Sequence, residues 1–116
     1  MSDVSITYNE QVVSLEQLLP LVDLLRPAIA EIVSMAEAAI LFQFLRPDHT
    51  DGYADVDMSI VTTLDGSGRT EAVNKPIAEA VRALVSSYVQ ENKLENVRSI
   101  GCVARVAPGS GFYEQI

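Results

Sequence analysis

From Tyr53 to Leu64 the chain alternates between two kinds of side chain at every step. Ala54, Val56, Met58, Ile60, Thr62 and Leu64 occupy one phase, and Tyr53, Asp55, Asp57, Ser59, Val61 and Thr63 the other. Successive side chains of a strand point to opposite faces, so the pattern predicts a long strand with one buried and one wet face. Such a strand obliges the chain to lay a second layer over its apolar side. The rest of the sequence is read for what supplies that cover.

Two stretches have helical spacing. Ser14 precedes Gln17 by three residues, a capping-box arrangement that starts a helix at Leu15. The apolar series through Leu18, Val22, Leu25, Ile29 and Ile32 then continues to about Leu45. Pro20 and Pro27 interrupt it by removing backbone donors, and a kink or break is expected near Arg26-Pro27. Between Ala28 and Leu45 the polar residues Glu31, Ser34 and Glu37 form only a narrow stripe. A helix apolar on nearly every side is buried either as one deep core element or between the sheet and another copy of the chain. The second helix is expected to be capped by Asn74, with Lys75 and Pro76 in its first turn, and to run to about Asn92. Its inner face carries Ile77, Val81, Leu84, Val85 and Tyr88.

Further strands are expected at Val4–Tyr8, at Val97–Val106 and in the C-terminal FYEQI, with Arg69–Val73 as a short strand returning from the turn DGSG. The order reads β-α-β-β-α-β-β. It predicts one α+β domain over residues 1–116, a two-layer sandwich whose mostly antiparallel sheet carries helices on one face. That is a ferredoxin-like variant built on the split βαβ unit.

Thr63–Thr70 is a near-miss to a phosphate-binding loop, ending Gly68-Arg69-Thr70 where such a loop has Gly-Lys-Ser/Thr. Its first glycine is missing, and a returning strand would separate it from the next helix. A phosphate loop needs a helix whose first amides face the anion, so this stretch is read as a hairpin turn.

The 116 residues include 48% hydrophobic but only 6% aromatic residues, so the core rests on Leu, Ile, Val and Ala. A net charge of −8 disfavours nucleic acid and anionic membranes and suits a basic protein partner. The single cysteine, Cys102, excludes an internal disulfide and lies on the apolar phase of its strand. The start Met1-Ser2-Asp3-Val4 lacks signal-peptide features, and the apolar Ala28–Leu45 run still carries Glu31, Glu37 and Gln43. A cytoplasmic protein without a membrane span is expected.

Chemistry is sparse. His49, the one histidine, stands among Asp48, Asp51, Asp55 and Asp57. With Gly52 as the sixth position of a calcium loop, the first would be Pro47 and the twelfth Met58, so no calcium loop is present and no metal or other cofactor is expected. Asp55 and Asp57 share the wet face of the long strand, with Asp48, Asp51 and Asp65 near its ends. Of these, Asp48, Asp51, Asp55 and Asp57 are the expected contact surface for a cationic partner. Tautomerases with this kind of α+β unit use an N-terminal proline. Here Ser2 follows Met1, which closes that mechanism.

The segments ADVDMSIVTTLDGSGRTEAV, IAEAVRALVSSYVQ and VRSIGCVARVAPGSGFYEQI, taken in order, resemble small bacterial immunity proteins of polymorphic toxin systems. The resemblance covers Tyr53–Ile116 as an order of elements. It lacks the Trp those families often carry ahead of the last hairpin, Val97 standing near that position, and it transfers no functional residue. It implies a non-enzymatic inhibitor that blocks a basic partner such as a toxin. The alternatives are a small dimeric ferredoxin-like enzyme or ligand-binding protein, and a phage or secretion accessory protein. Self-association as a homodimer is expected through the Ala28–Leu45 helix or a sheet edge.

Overall fold

The computed structural model describes residues 2–46, 59–66 and 71–106. Its first strand, β1 (Ser2–Tyr8), buries Val4, Ile6 and Tyr8 as the alternation predicts. Helix α1 (Leu15–Leu18) opens with the expected capping box. The Ser14 hydroxyl accepts from the Gln17 amide at 3.2 Å, and the Gln17 side chain accepts from the Ser14 amide at 2.9 Å.

The chain breaks at Pro20 rather than near Pro27. Helix α2 (Pro20–Ile32) has Pro20 in its first turn, where a missing donor costs nothing, and passes through Pro27. Pro27 deprives the Asp23 carbonyl of its helical partner, but both residues are exposed and water can serve instead. The expected continuation to Leu45 does not form. Ser34 takes a left-handed φ of 54°, with the Ser34 amide donating to Glu31 and the Met35 amide to Ala30. This pair of bonds closes a helix end by satisfying its last carbonyls. A short 3-10 turn, Glu37–Ala39, leads into strand β2 (Ile40–Leu45). A short apolar run cannot be assigned to helix or strand by periodicity alone, which is why Ile40–Leu45 read as helix.

Strand β3 (Ile60–Gly66) buries Ile60, Thr62 and Leu64, the phase expected to be inside; Tyr53–Met58 lie outside the described residues. Of the expected return strand Arg69–Val73, Glu71–Val73 instead open the 21-residue helix α3 (Glu71–Glu91), and Arg69 and Thr70 lie outside the described residues. Asn74 is therefore not a cap but a buried residue inside the helix. α3 ends as α2 does: Lys93 has φ 52°, its amide donating to Gln90 and that of Leu94 to Val89. Strand β4 (Ile100–Val106) follows; the expected last strand FYEQI lies outside the described residues.

The four strands take the order β2-β1-β3-β4. β1 pairs with β2 in parallel and β3 with β4 in parallel, while β1 and β3 are antiparallel. A mostly antiparallel, ferredoxin-like sheet is thus corrected to two parallel pairs joined by one antiparallel seam. In a split βαβ unit another strand separates the two parallel strands; here each helix crossover joins direct neighbours. The mixed α+β character and the placement of helices on one side hold. Leu21, Leu25 and Ile29 of α2 and Ile77, Val81 and Val85 of α3 are fully or almost fully buried against Val4, Ile6, Ile60 and Leu64. Burying a side chain of this size contributes about 1.5–3 kcal/mol, so this layer is a large stabilising contribution.

Candidate site at the start of the first strand

The register gathers four strand ends at one edge of the sheet. Ser2 pairs with Ile40 on one side and Gly66 on the other, and Gly66 pairs with Val106. β1 and β2 therefore begin where β3 and β4 end, and α3 begins at Glu71, five residues after Gly66. Helix α3 already begins at Glu71, one residue after Thr70, which removes one reason for rejecting Thr63–Thr70 as a phosphate loop; the missing first glycine remains.

On the face away from the helices, Asp3 of β1 stands opposite Asp65 of β3, and Asp65 stands beside Arg105 of β4 in register. Asp3 is exposed and Asp65 half-buried. Directly opposed residues of an antiparallel pair hold their Cβ atoms about 4.5–5.5 Å apart, so the two carboxylates can address one small molecule. On the helix side, Asn74 is 6% exposed and its Oδ1 has no hydrogen-bond partner. A buried amide oxygen left unbonded is uncommon, because it forfeits its hydration without replacement. Chemically, this end offers two carboxylates on the open face and an amide acceptor on the helix side.

The remaining candidates contribute less. Asp48, His49, Asp51, Asp55 and Asp57 lie outside the described residues. Among the described residues no three metal-ligating side chains cluster. Burial pushes the Cys102 thiol up to about 11, so it stays protonated and weakly nucleophilic. Arg46 and Glu10 pair at 2.9 Å at the far end of β1, with both side chains 55% exposed, where an ion pair adds little. No described helix is long and apolar enough to cross a membrane. Reading the sequence missed Asp3 and Asn74. Asp3 lies on the polar phase of the first strand, but only the β1–β3 register brings it to Asp65.

No family model matches the chain, and no curated protein matches it. Solved structures do. N1, a member of the cis-3-chloroacrylic acid dehalogenase family, superposes with a TM-score of 0.65 at 15% identity, covering 97% of this chain and 79% of that one. A 5-carboxymethyl-2-hydroxymuconate isomerase from Deinococcus radiodurans gives 0.58 at 16% identity, covering 98% and 88%. A fused 4-OT chain that forms a symmetric trimer gives 0.60 at 13% identity, covering 91% and 85%. These neighbours overturn the resemblance to immunity proteins, which rested on reading β3 as the first arm of a hairpin when it leads into a helical crossover. They also overturn the expectation of a non-enzymatic protein, since an isomerase shares the fold. Self-association is a property of the fused 4-OT neighbour; nothing supports a toxin as partner. The chain has a tautomerase-like fold.

Proposed function

We propose that the protein is a small enzyme acting on an unsaturated or 2-oxo carboxylate at the sheet end where β1 begins. One observation carries the reading: two directly paired βαβ units, arranged as in an isomerase and a dehalogenase-family protein, bring Asp3 and Asp65 face to face. The names of both neighbours denote unsaturated carboxylic acids as their chemistry. Isomerisation of such an acid moves a proton from one atom to another, and a single carboxylate can remove it and return it. In this reading Asp65 is the base and Asp3 stands across from it. Ser2 and not a proline stands at the start of β1, and in this reading the carboxylates take the proton-transfer role. The trimeric state of the fused 4-OT neighbour supports an enzyme that works as an oligomer.

The test follows isomerisation of 5-carboxymethyl-2-hydroxymuconate by ultraviolet absorbance and chloride release from cis-3-chloroacrylate. Turnover of either should fall by about 10²–10⁴-fold in Asp65→Asn, the usual contribution of a positioned acid or base. Absence of turnover, together with no NMR shift at Asp3, Asp65 or Asn74 on titrating either acid, removes the proposal.

A further inference from the structure

The sheet carries helices on one side only, and its open face is not built like a surface meant for water. Asp3, Asp65 and Arg105 share one row across the sheet, at the candidate site. Beyond that row, toward Thr7 and Val61, no strand places a charged residue on this face. The chain is 21% charged, so a solvated sheet face would show its share. An exposed surface kept free of charge marks a contact with another protein.

The large apolar residues of this face stand on the two outer strands. Leu41 and Leu45 of β2 are 60% and 44% exposed, and Val103 of β4 is 48% exposed. Beyond the site's row, the inner strands β1 and β3 offer only Ser5, Thr7, Val61 and Thr63. The backbone edge of β2 is not what is offered. Arg26 of α2 donates to the Ile40 carbonyl at 2.8 Å and to the Glu37 carbonyl at 3.0 Å, and it lies over the Phe42 ring. Arg46 is taken by Glu10. What β2 leaves open is its pair of leucines on the other face.

This distribution decides how copies of the chain can meet. Two sheets stacked face to face stand about 10 Å apart and need large side chains in the middle, where this face has small ones. Copies that close into a ring touch instead at their outer strands, where the leucines and Val103 stand. β2 and β4 are unlike surfaces, so each contact is head to tail, and contacts of that kind close into rings. Two copies would give about eight strands around an interior that side chains must fill, whereas three give about twelve and leave room for water. The Ser and Thr hydroxyls suit a watered interior. Asp3 and Asp65 then lie at its mouth, where water and salt screen like charges from one another.

We propose that the open face joins three copies of this chain about a three-fold axis, Leu41 and Leu45 of each copy packing beside Val103 of the next. The proposal rests on the oligomeric part of the enzymatic reading, which the trimer of the fused 4-OT neighbour supports, and its tests need no turnover. Sedimentation at tens of micromolar should show three copies. Leu45→Glu and Val103→Glu should each sediment as monomers there, because the new charge enters an apolar contact at every junction of the ring. Both side chains already meet water in a single chain, so the far-ultraviolet spectrum of each variant should stay native. In a Cys102→Ser background, oxidised Val103→Cys combined with Leu41→Cys or with Leu45→Cys should give covalent species of two and three chains. The paired cysteines cannot join within one chain, since three strand spacings, about 14 Å, separate β2 from β4. A trimer that survives both glutamates without cross-linking would overturn this face and leave the oligomer standing. A monomeric or dimeric parent chain would overturn the ring itself, while the turnover assay decides the enzymatic reading separately.

Discussion

The hydroxyl of Tyr88 on α3 donates a hydrogen bond to the main-chain carbonyl of Gln17 in α1, across 71 residues of sequence. It ties the first, shortest helix to the longest one. α1 has only four residues and cannot be stable by itself, so its position depends on such contacts. Tyr88→Phe keeps the ring and removes the bond. It should lower stability by about 1 kcal/mol, read as a shift in the urea midpoint at unchanged slope. An unchanged midpoint would mean the bond only replaces one to water.

Thr62 should respond in the opposite direction. Its side chain is fully buried in β3 and its Oγ1 has no partner. The hydroxyl loses its hydration and gains nothing, whereas a methyl in the same place fits an apolar layer. Thr62→Val should raise stability by about 1 kcal/mol in urea or thermal unfolding. A loss instead would reveal a partner for the hydroxyl.

Ser14→Ala tests the capping box. The substitution frees the Gln17 amide and should cost about 1 kcal/mol, while Ser14→Gly should cost only a few tenths. Hydrogen exchange should quicken at Gln17 and Leu18 before it changes in α3.

Alkaline stability follows from burial of two acids that are neutral when protonated. Cys102 is raised from 9.0 to about 11, and desolvation also raises Tyr88 above 10.0. From pH 9 upward the unfolded thiol releases its proton while the folded one keeps it. The unfolded state then binds fewer protons, and stability must fall as pH rises. The stabilising contribution is full below pH 9 and is gone above about 11. Denaturant midpoints measured between pH 8 and 11 should decline, and Cys102→Ala should flatten the decline between 9 and 10. Alkylation of the folded protein at pH 8 should be slow compared with the unfolded chain.

Much of the core phase was legible. Val4, Ile6 and Tyr8, and Ile60, Thr62 and Leu64, are inside because a two-residue period specifies a face wherever one side of a strand meets water. Ser14 with Gln17 marked a helix start through bonds that span three residues. Ile40–Leu45 was not legible, since its two faces are both apolar and period fails there. Asn74-Lys75-Pro76 resembled a helix start because proline is cheap in a first turn, yet tertiary packing carries α3 back to Glu71. Of the candidate site, Asp65 was among the acidic residues noted, but its relation to Asp3 was hidden.

The sequence by itself determined the helix start at Ser14–Gln17 and which side of β1, β3 and the two long helices faces inward, because those depend on neighbours within one turn or one strand. The tertiary structure alone decided that β2 pairs with β1 and β4 with β3 in parallel, that Asp3 faces Asp65, and that β2 lies on the edge. Strand partners far apart in sequence are chosen by how the helix crossovers fold back to cover one face of the sheet. No periodicity along the chain encodes that choice.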